Sequence, residues 1–171
     1  MATSGHQGDV MRWDDLSEQP CSMARSLAVL GDRWTLLILR DCFLRIRRFE
    51  DFQASLGIAR RVLTERLDKL VGEGVLARVP YQQRPLRHDY RLTDKGRDLY
   101  PVILSLVHWG DRYYDDGRGP PMLHRHLACG HDFRSVLTCS ECGEELRPQD
   151  VQPHPGPGLE KPARKPARRS A

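Results

Sequence analysis

Between residues 21 and 117 apolar side chains recur at three- and four-residue intervals, and glycines punctuate the rhythm. The run CSMARSLAVL (21–30) predicts a short helix stopped by Gly31, a residue type favoured just past a helix end. Asp32 can then cap RWTLLILRDCFL, in which Trp34, Leu37, Ile38 and Cys42 recur at helical spacing. RRFEDFQASLG predicts a third short helix that turns Phe49, Phe52 and Leu56 inward and ends at Gly57. RRVLTERLDKLVGEG carries Leu63, Leu67 and Leu70 on one stripe. After Gly74 the rhythm changes: VLARVPYQ and HDYRLT are β-prone runs, and the intervening QRPLR suits a hairpin loop. Thr93 can cap a last helix, DKGRDLYPVILSLVHWGDRYY, with Leu99, Val102, Ile103, Leu106, Trp109 and Tyr113 on its apolar stripe. Pro101 lies inside that helix and predicts a kink.

The order helix, turn, helix, hairpin, helix has chemical content once the polar positions are added. With the leucine stripe of the fourth helix buried, Arg61, Glu65 and Asp68 point away, and Arg60 and Thr64 flank the N-terminal half. The early residues of a recognition helix reach base edges in the major groove, so Arg60, Arg61, Thr64 and Glu65 are the readout candidates. Arginine can donate to guanine O6 and N7, and glutamate can accept from cytosine N4. The hairpin becomes a wing whose tip offers Gln83, Arg84 and Arg87 to phosphates or the minor groove. Arg45, Arg47 and Arg48, just before the third helix, add backbone clamps.

Charge supports this division. The net +4 separates into −3 over residues 1–20, +6 over 21–114, −4 over 115–160 and +5 over 161–171. The positive field therefore falls on the helical segment and on the extreme end. Four regions follow: a flexible lead-in (1–20), a winged helix-turn-helix domain (21–117), a Cys/His-rich module (122–152) and a disordered basic tail (153–171). The tail would add salt-sensitive, non-specific affinity for DNA, or serve only as a solubilising end. The fold class expected is mainly α (α+β), a winged helix-turn-helix with a two-stranded wing and a small zinc-ribbon-like appendage. No apolar run approaches the ~20 residues that span a bilayer, and no signal-peptide core precedes the first helix, so a cytoplasmic, nucleoid-associated protein is expected. No nucleophile–base–orienter set and no phosphate loop appears, so no enzyme activity is expected.

The runs CSMARSLAVLGDRWTLLILRDCFLRIRRFEDF, GIARRVLTERLDKLVGEGVLARVPY and RHDYRLTDKGRDLYPVILSLVHWGD together resemble the HxlR family of bacterial winged helix-turn-helix transcriptional regulators. The resemblance spans Cys21 to Asp111 in order and spacing. It implies a homodimer built largely from the first and last helices, with 23–30 and 97–113 as the dimerisation segments. Two recognition helices would then meet a palindromic operator in double-stranded DNA, and the function implied is repression of a nearby promoter. Some members of the family sense oxidants through a cysteine just before the first helix. Cys21 holds that position, although Ser22 follows it where the family usually has proline. A thiol-based redox or electrophile sensor acting through Cys21 is thus one alternative. A protein-interaction module that does not read DNA is another. Cys42, on an apolar helix face, reads as core.

The segment HLACGHDFRSVLTCSECGEEL concentrates three of the five cysteines. His126-x-x-Cys129-Gly130 and Cys139-x-x-Cys142-Gly143 share one spacing and flank the β-prone DFRSVLT. The pair offers four ligands of types that Zn²⁺ accepts at knuckle spacing, which favours a closed structural zinc site at His126, Cys129, Cys139 and Cys142. His131 and His124 compete with His126 but lack the two-residue spacing. A Cys139–Cys142 redox couple and vacant ligands remain as other readings.

Overall fold

The computed structural model describes residues 17–159. Much of the lead-in and all of the basic run 161–171 lie outside the described residues. Six helices and one hairpin follow in the order α1 (Ser22–Leu30), α2 (Arg33–Phe43), α3 (Phe49–Leu56), α4 (Arg60–Gly72), β1 (Leu76–Gln83), β2 (Leu86–Leu92), α5 (Asp94–Arg97) and α6 (Tyr100–Tyr113). This is the α+β winged helix-turn-helix architecture that the sequence predicts.

Helix α2 is the hub, packing against α1, α3, α4, α6 and β2. Its Ile38 and Leu39 join Phe52, Ile58, Leu63, Leu67, Leu70, Val75, Leu76 and Ile103 in one buried cluster. Each such side chain contributes about 1.5–3 kcal/mol on leaving water. The leucine stripe of α4 is completely enclosed, and this fixes which face of α4 remains outside.

Local chemistry sets the boundaries. The Asp32 carboxylate accepts from the amides of Trp34 (2.9 Å) and Thr35 (3.3 Å) and so caps α2. Gly57 closes α3 in the left-handed region at φ 60°, where a side chain would be strained. Strands β1 and β2 pair antiparallel from Leu76↔Leu92 to Gln83↔Leu86, with an irregularity between Pro80 and Gln82. The Thr93 hydroxyl accepts from the Gly96 amide (3.1 Å) and donates to the Gly74 carbonyl (2.6 Å), tying α5 to the end of α4. Gly96 is required there, because a Cβ would stand 2.2 Å from the Val75 carbonyl oxygen.

Two expectations need correction. Residues 94–114 do not form one kinked helix. The chain breaks at Asp98–Leu99, and Pro101 falls in the first turn of α6, where its missing N–H leaves no hydrogen bond unmade. The run DFRSVLT forms no ribbon strand; only the single bridges Arg125↔Asp132 and Thr138↔Glu145 occur around it. No residue of this run is fully buried, so strand pairing has little buried face to reward it.

The sequence also missed a charge in the core. Asp41 is completely buried, and its Oδ1 accepts from Arg40 Nε (3.0 Å) and Nη2 (2.7 Å). Its neighbour Cys42 is buried as expected; burial, with the Asp41 charge adding to it, pushes the thiol up to about 12.

The Asp32 cap carries a pH dependence. Burial alone would raise its pKa, but the Arg66 guanidinium 2.9 Å away and the two capping amides outweigh it and hold the carboxyl below its ordinary value. A lowered folded-state pKa contributes stability above the unfolded value, and the contribution is lost as pH falls through the folded value. Asp32→Ala is expected to cost about 1–2 kcal/mol at neutral pH, measured by urea unfolding. The penalty should shrink as the solution is acidified. Asp32→Asn, which keeps the cap, should cost less than Asp32→Ala.

Candidate nucleic-acid interface

Helix α4 presents the predicted readout residues as a row above its buried stripe. Arg60, Arg61, Thr64 and Glu65 are exposed while Leu63 and Leu67 beneath them are fully enclosed. Arg61 Nε binds Glu65 Oε1 at 2.9 Å across one turn, which leaves the terminal guanidinium nitrogens open to a base edge. The side-chain bond to Glu65 also holds the Arg61 pKa above its ordinary value. Arg60 lies back over the Phe49 ring at 4.6 Å, a cation–π contact that orients it toward the start of α3. The Thr64 hydroxyl is turned onto its own helix, donating to the Arg60 carbonyl at 3.0 Å. It must rotate to reach DNA.

Two ion pairs and a side-chain hydrogen bond fix how α4 sits. Arg66 reaches Asp32 on α2, Lys69 donates to the Ala28 carbonyl of α1 at 2.6 Å, and Arg78 of β1 pairs with Asp68. Asp68, predicted only to point outward, thus links the recognition helix to the wing.

The predicted clamp residues divide. Arg48 lies over the Tyr81 ring at 4.6 Å and 3.9 Å from Asp89, so it braces the wing as well as facing solvent. Asp89 is nearly buried and also accepts from Arg91 at 3.0 Å. The Arg47 carbonyl accepts from the Tyr90 amide at 2.7 Å, so the loop before α3 is bonded directly to β2. Arg45 is exposed at φ 71°, a left-handed conformation for a side-chain-bearing residue. Arg84 forms the wing turn, and Arg87 sits opposite Gln82 in the ladder; both are exposed. The sequence reads Arg48 as a backbone clamp and Asp68 as an outward-facing residue; the fold makes both of them struts as well.

Most of the α6 stripe does not enter the core. Ile103 is buried, whereas Val102, Leu106, Trp109 and Tyr113 stand 46–60% exposed. Helix α1 buries no residue fully and exposes Met23 and Leu27. Cys21 occupies the N-cap position of α1, exposed, with its side chain making no capping bond.

Residues 122–152 follow as two small turns beside α6. Ser135, between them, donates its amide to His108 Nδ1 at 3.1 Å, and the His108 ring meets His124 and Phe133 edge to face. His126 Nδ1 lies 3.4 Å from Cys129 Sγ. The amides of Cys142 and Glu141 point at Cys139 and lower its thiol pKa. Among the described residues no three His, Cys, Asp or Glu side chains close on one point, so each knuckle gathers its own two candidates without joining the other.

A two-stranded wing following an exposed, arginine-bearing second helix defines a winged helix-turn-helix protein. The model of the HxlR-like helix-turn-helix family matches residues 29–118, and the chain belongs to that family. An uncharacterised helix-turn-helix-type transcriptional regulator of Mycobacterium tuberculosis is 48% identical over 138 residues, covering 81% of this chain and 87% of the relative. That match is longer than the family segment and so extends beyond it. The crystal structure of PA1607, described as a candidate transcription factor, superposes with a TM-score of 0.73 at 34% identity, covering 81% of this chain and 96% of that one. The redox regulator HypR in its reduced form gives a TM-score of 0.53 at 30% identity, covering 56% of this chain and 95% of HypR. Among the described residues no helix is long and apolar enough to cross a membrane.

Proposed function

We propose that the protein is a DNA-binding transcriptional regulator that acts as a homodimer on a palindromic operator and represses by occluding a promoter. One observation carries the reading: α4 is anchored by a fully enclosed leucine stripe and presents Arg60, Arg61, Thr64 and Glu65 to solvent on the opposite side. The relatives named as transcriptional regulators support it. The exposed apolar halves of α1 and α6 supply the dimer face, and a two-fold pair would place recognition helices about 34–36 Å apart.

The test uses an operator selected by the wild-type protein from a random DNA pool, with binding followed by fluorescence anisotropy. Arg60→Ala and Arg61→Ala should each weaken the selected site by about 1–3 kcal/mol, roughly 5- to 150-fold, and relax preference at one base position. Arg84→Ala and Arg87→Ala should instead weaken all sequences alike and lower the salt slope by about one each. Unchanged affinity in both recognition-helix variants would show that α4 does not read the operator.

A further inference from the structure

We propose that His126, Cys129, Cys139 and Cys142 bind one structural zinc ion per chain, and that this ion closes the two knuckles of residues 122–152 onto each other. The strongest observation is a repetition in the backbone. In the first turn the His126 amide donates to the His131 carbonyl (2.9 Å), the Gly130 amide to His126 (2.8 Å) and the Phe133 amide to His124 (2.9 Å). In the second, the Cys139 amide donates to Glu144 (2.8 Å), the Gly143 amide to Cys139 (2.9 Å) and the Leu146 amide to Leu137 (2.8 Å). The offsets from the first ligand are the same in each case. The bridges Arg125↔Asp132 and Thr138↔Glu145 also fall at matching places. Gly130 and Gly143, directly after the second ligand of each turn, have φ of 74° and 77°.

Thirteen residues apart in sequence, then, His126 is the structural counterpart of Cys139, and Cys129 of Cys142. His131 corresponds to Glu144 and His124 to Leu137, so neither occupies a ligand position of the repeated turn. The geometry thereby selects His126 from the three histidines. In each turn the second candidate comes back toward the first: His126 Nδ1 lies 3.4 Å from Cys129 Sγ, and the Glu141 and Cys142 amides face Cys139.

A second, independent observation concerns packing. No residue of 122–152 is fully buried, and Leu123, Leu127, Val136 and Leu137 are 58–92% exposed. The segment has no core of its own, yet it holds two formed turns. Segments this small are commonly completed by a metal that supplies their folding free energy. One imidazole and three thiolates make a tetrahedral set suited to zinc. On binding, the cysteine thiols lose up to three protons to solvent, the sulfurs and one imidazole nitrogen donate to the ion, and no oxidation state changes. Because Ser135 between the knuckles is bonded to His108, the closed site would be held against α6, next to its exposed apolar half.

The experiment is metal analysis of the full-length protein expressed with ample zinc and purified without a metal-binding tag. About one zinc per chain is expected, with loss of nearly all of it in Cys139→Ser, Cys142→Ser and His126→Ala and full retention in His131→Ala. Replacement by cobalt should give thiolate-to-metal charge-transfer absorption that weakens with each cysteine removed. Far-UV circular dichroism of the variants separates loss of the site from collapse of the helical domain, whose elements end at Tyr113. Zinc below about one half per chain, one ion shared by two chains, a Cys139–Cys142 disulfide in its place, or retention in His126→Ala with loss in His131→Ala would each overturn the assignment.

Discussion

If the proposed dimer forms through α6, replacing Leu106 and Trp109 together by aspartate is expected to convert it to a monomer while leaving the helices intact. Leu106 is 47% and Trp109 54% exposed, so neither substitution removes a core contact. Trp109 touches only the neighbouring rings of Tyr113 and Tyr114 among the aromatic contacts it makes, at 5.8 and 5.2 Å. In the proposed two-fold dimer, however, each added carboxylate would enter a desolvated apolar face close to its symmetry mate, and unpaired buried charge is costly. Light scattering should show the halved mass, and circular dichroism an unchanged helical signal. Operator affinity should fall about 10²- to 10⁴-fold, because the second half-site is no longer bound at high effective concentration. A variant that remains dimeric would move the interface away from α6.

Phe52→Ala is the second large effect, and it acts by another route. Phe52 is completely buried on α3, and its ring meets Tyr90 of β2 edge-on at 6.5 Å. Truncating a buried phenylalanine to alanine costs about 3–5 kcal/mol from lost transfer energy and the cavity left behind. That is a large share of the roughly 5–15 kcal/mol available to an ordinary domain. Thermal unfolding followed by circular dichroism should show a midpoint more than about 10 °C lower. Phe52→Leu should recover much of the loss, since leucine refills most of the volume. A decrease below about 1 kcal/mol for the alanine variant would mean that the core closes over the gap. Because Phe52 also sits beneath the wing, specific DNA affinity should drop before global unfolding.

These two sites show how differently residues of one apolar pattern are used. Phe52 and Trp109 both lie on apolar helical stripes, the first read from the sequence as inward-facing and the second as part of a dimerisation segment. Phe52 meets α2, α4 and the wing and disappears from solvent. Trp109 lies beyond the point where α6 leaves the core, and its stripe faces outward. A hydrophobic repeat states that a face wants cover; it does not state whether this chain or a second copy provides it.

Local readings held where the cause was local. The leucine stripe of α4, the Asp32 and Thr93 caps and the Gly57 stop each depend on residues within four positions, and each formed as read. Pro101 shows the limit. The kink expected there did not form: Pro101 lies in the first turn of α6, and whether a proline kinks a helix or begins one depends on where the preceding backbone turns. That turn falls at Asp98–Leu99, just after α5, whose Gly96 lies close against the Val75 carbonyl.

What the sequence determined by itself was the order of elements through the wing, the exposed row from Arg60 to Glu65 and the matched spacing of two Cys/His turns, because all of these are written in short-range periodicity. Tertiary structure alone decided that Arg60 rests on Phe49, that Arg48 and Asp68 brace the wing, that Asp41 lies in the core and that the two knuckles repeat bond for bond. Those features come from residues far apart in the chain, or from backbone angles that side-chain pattern does not encode, and they exist only once packing has fixed which groups meet.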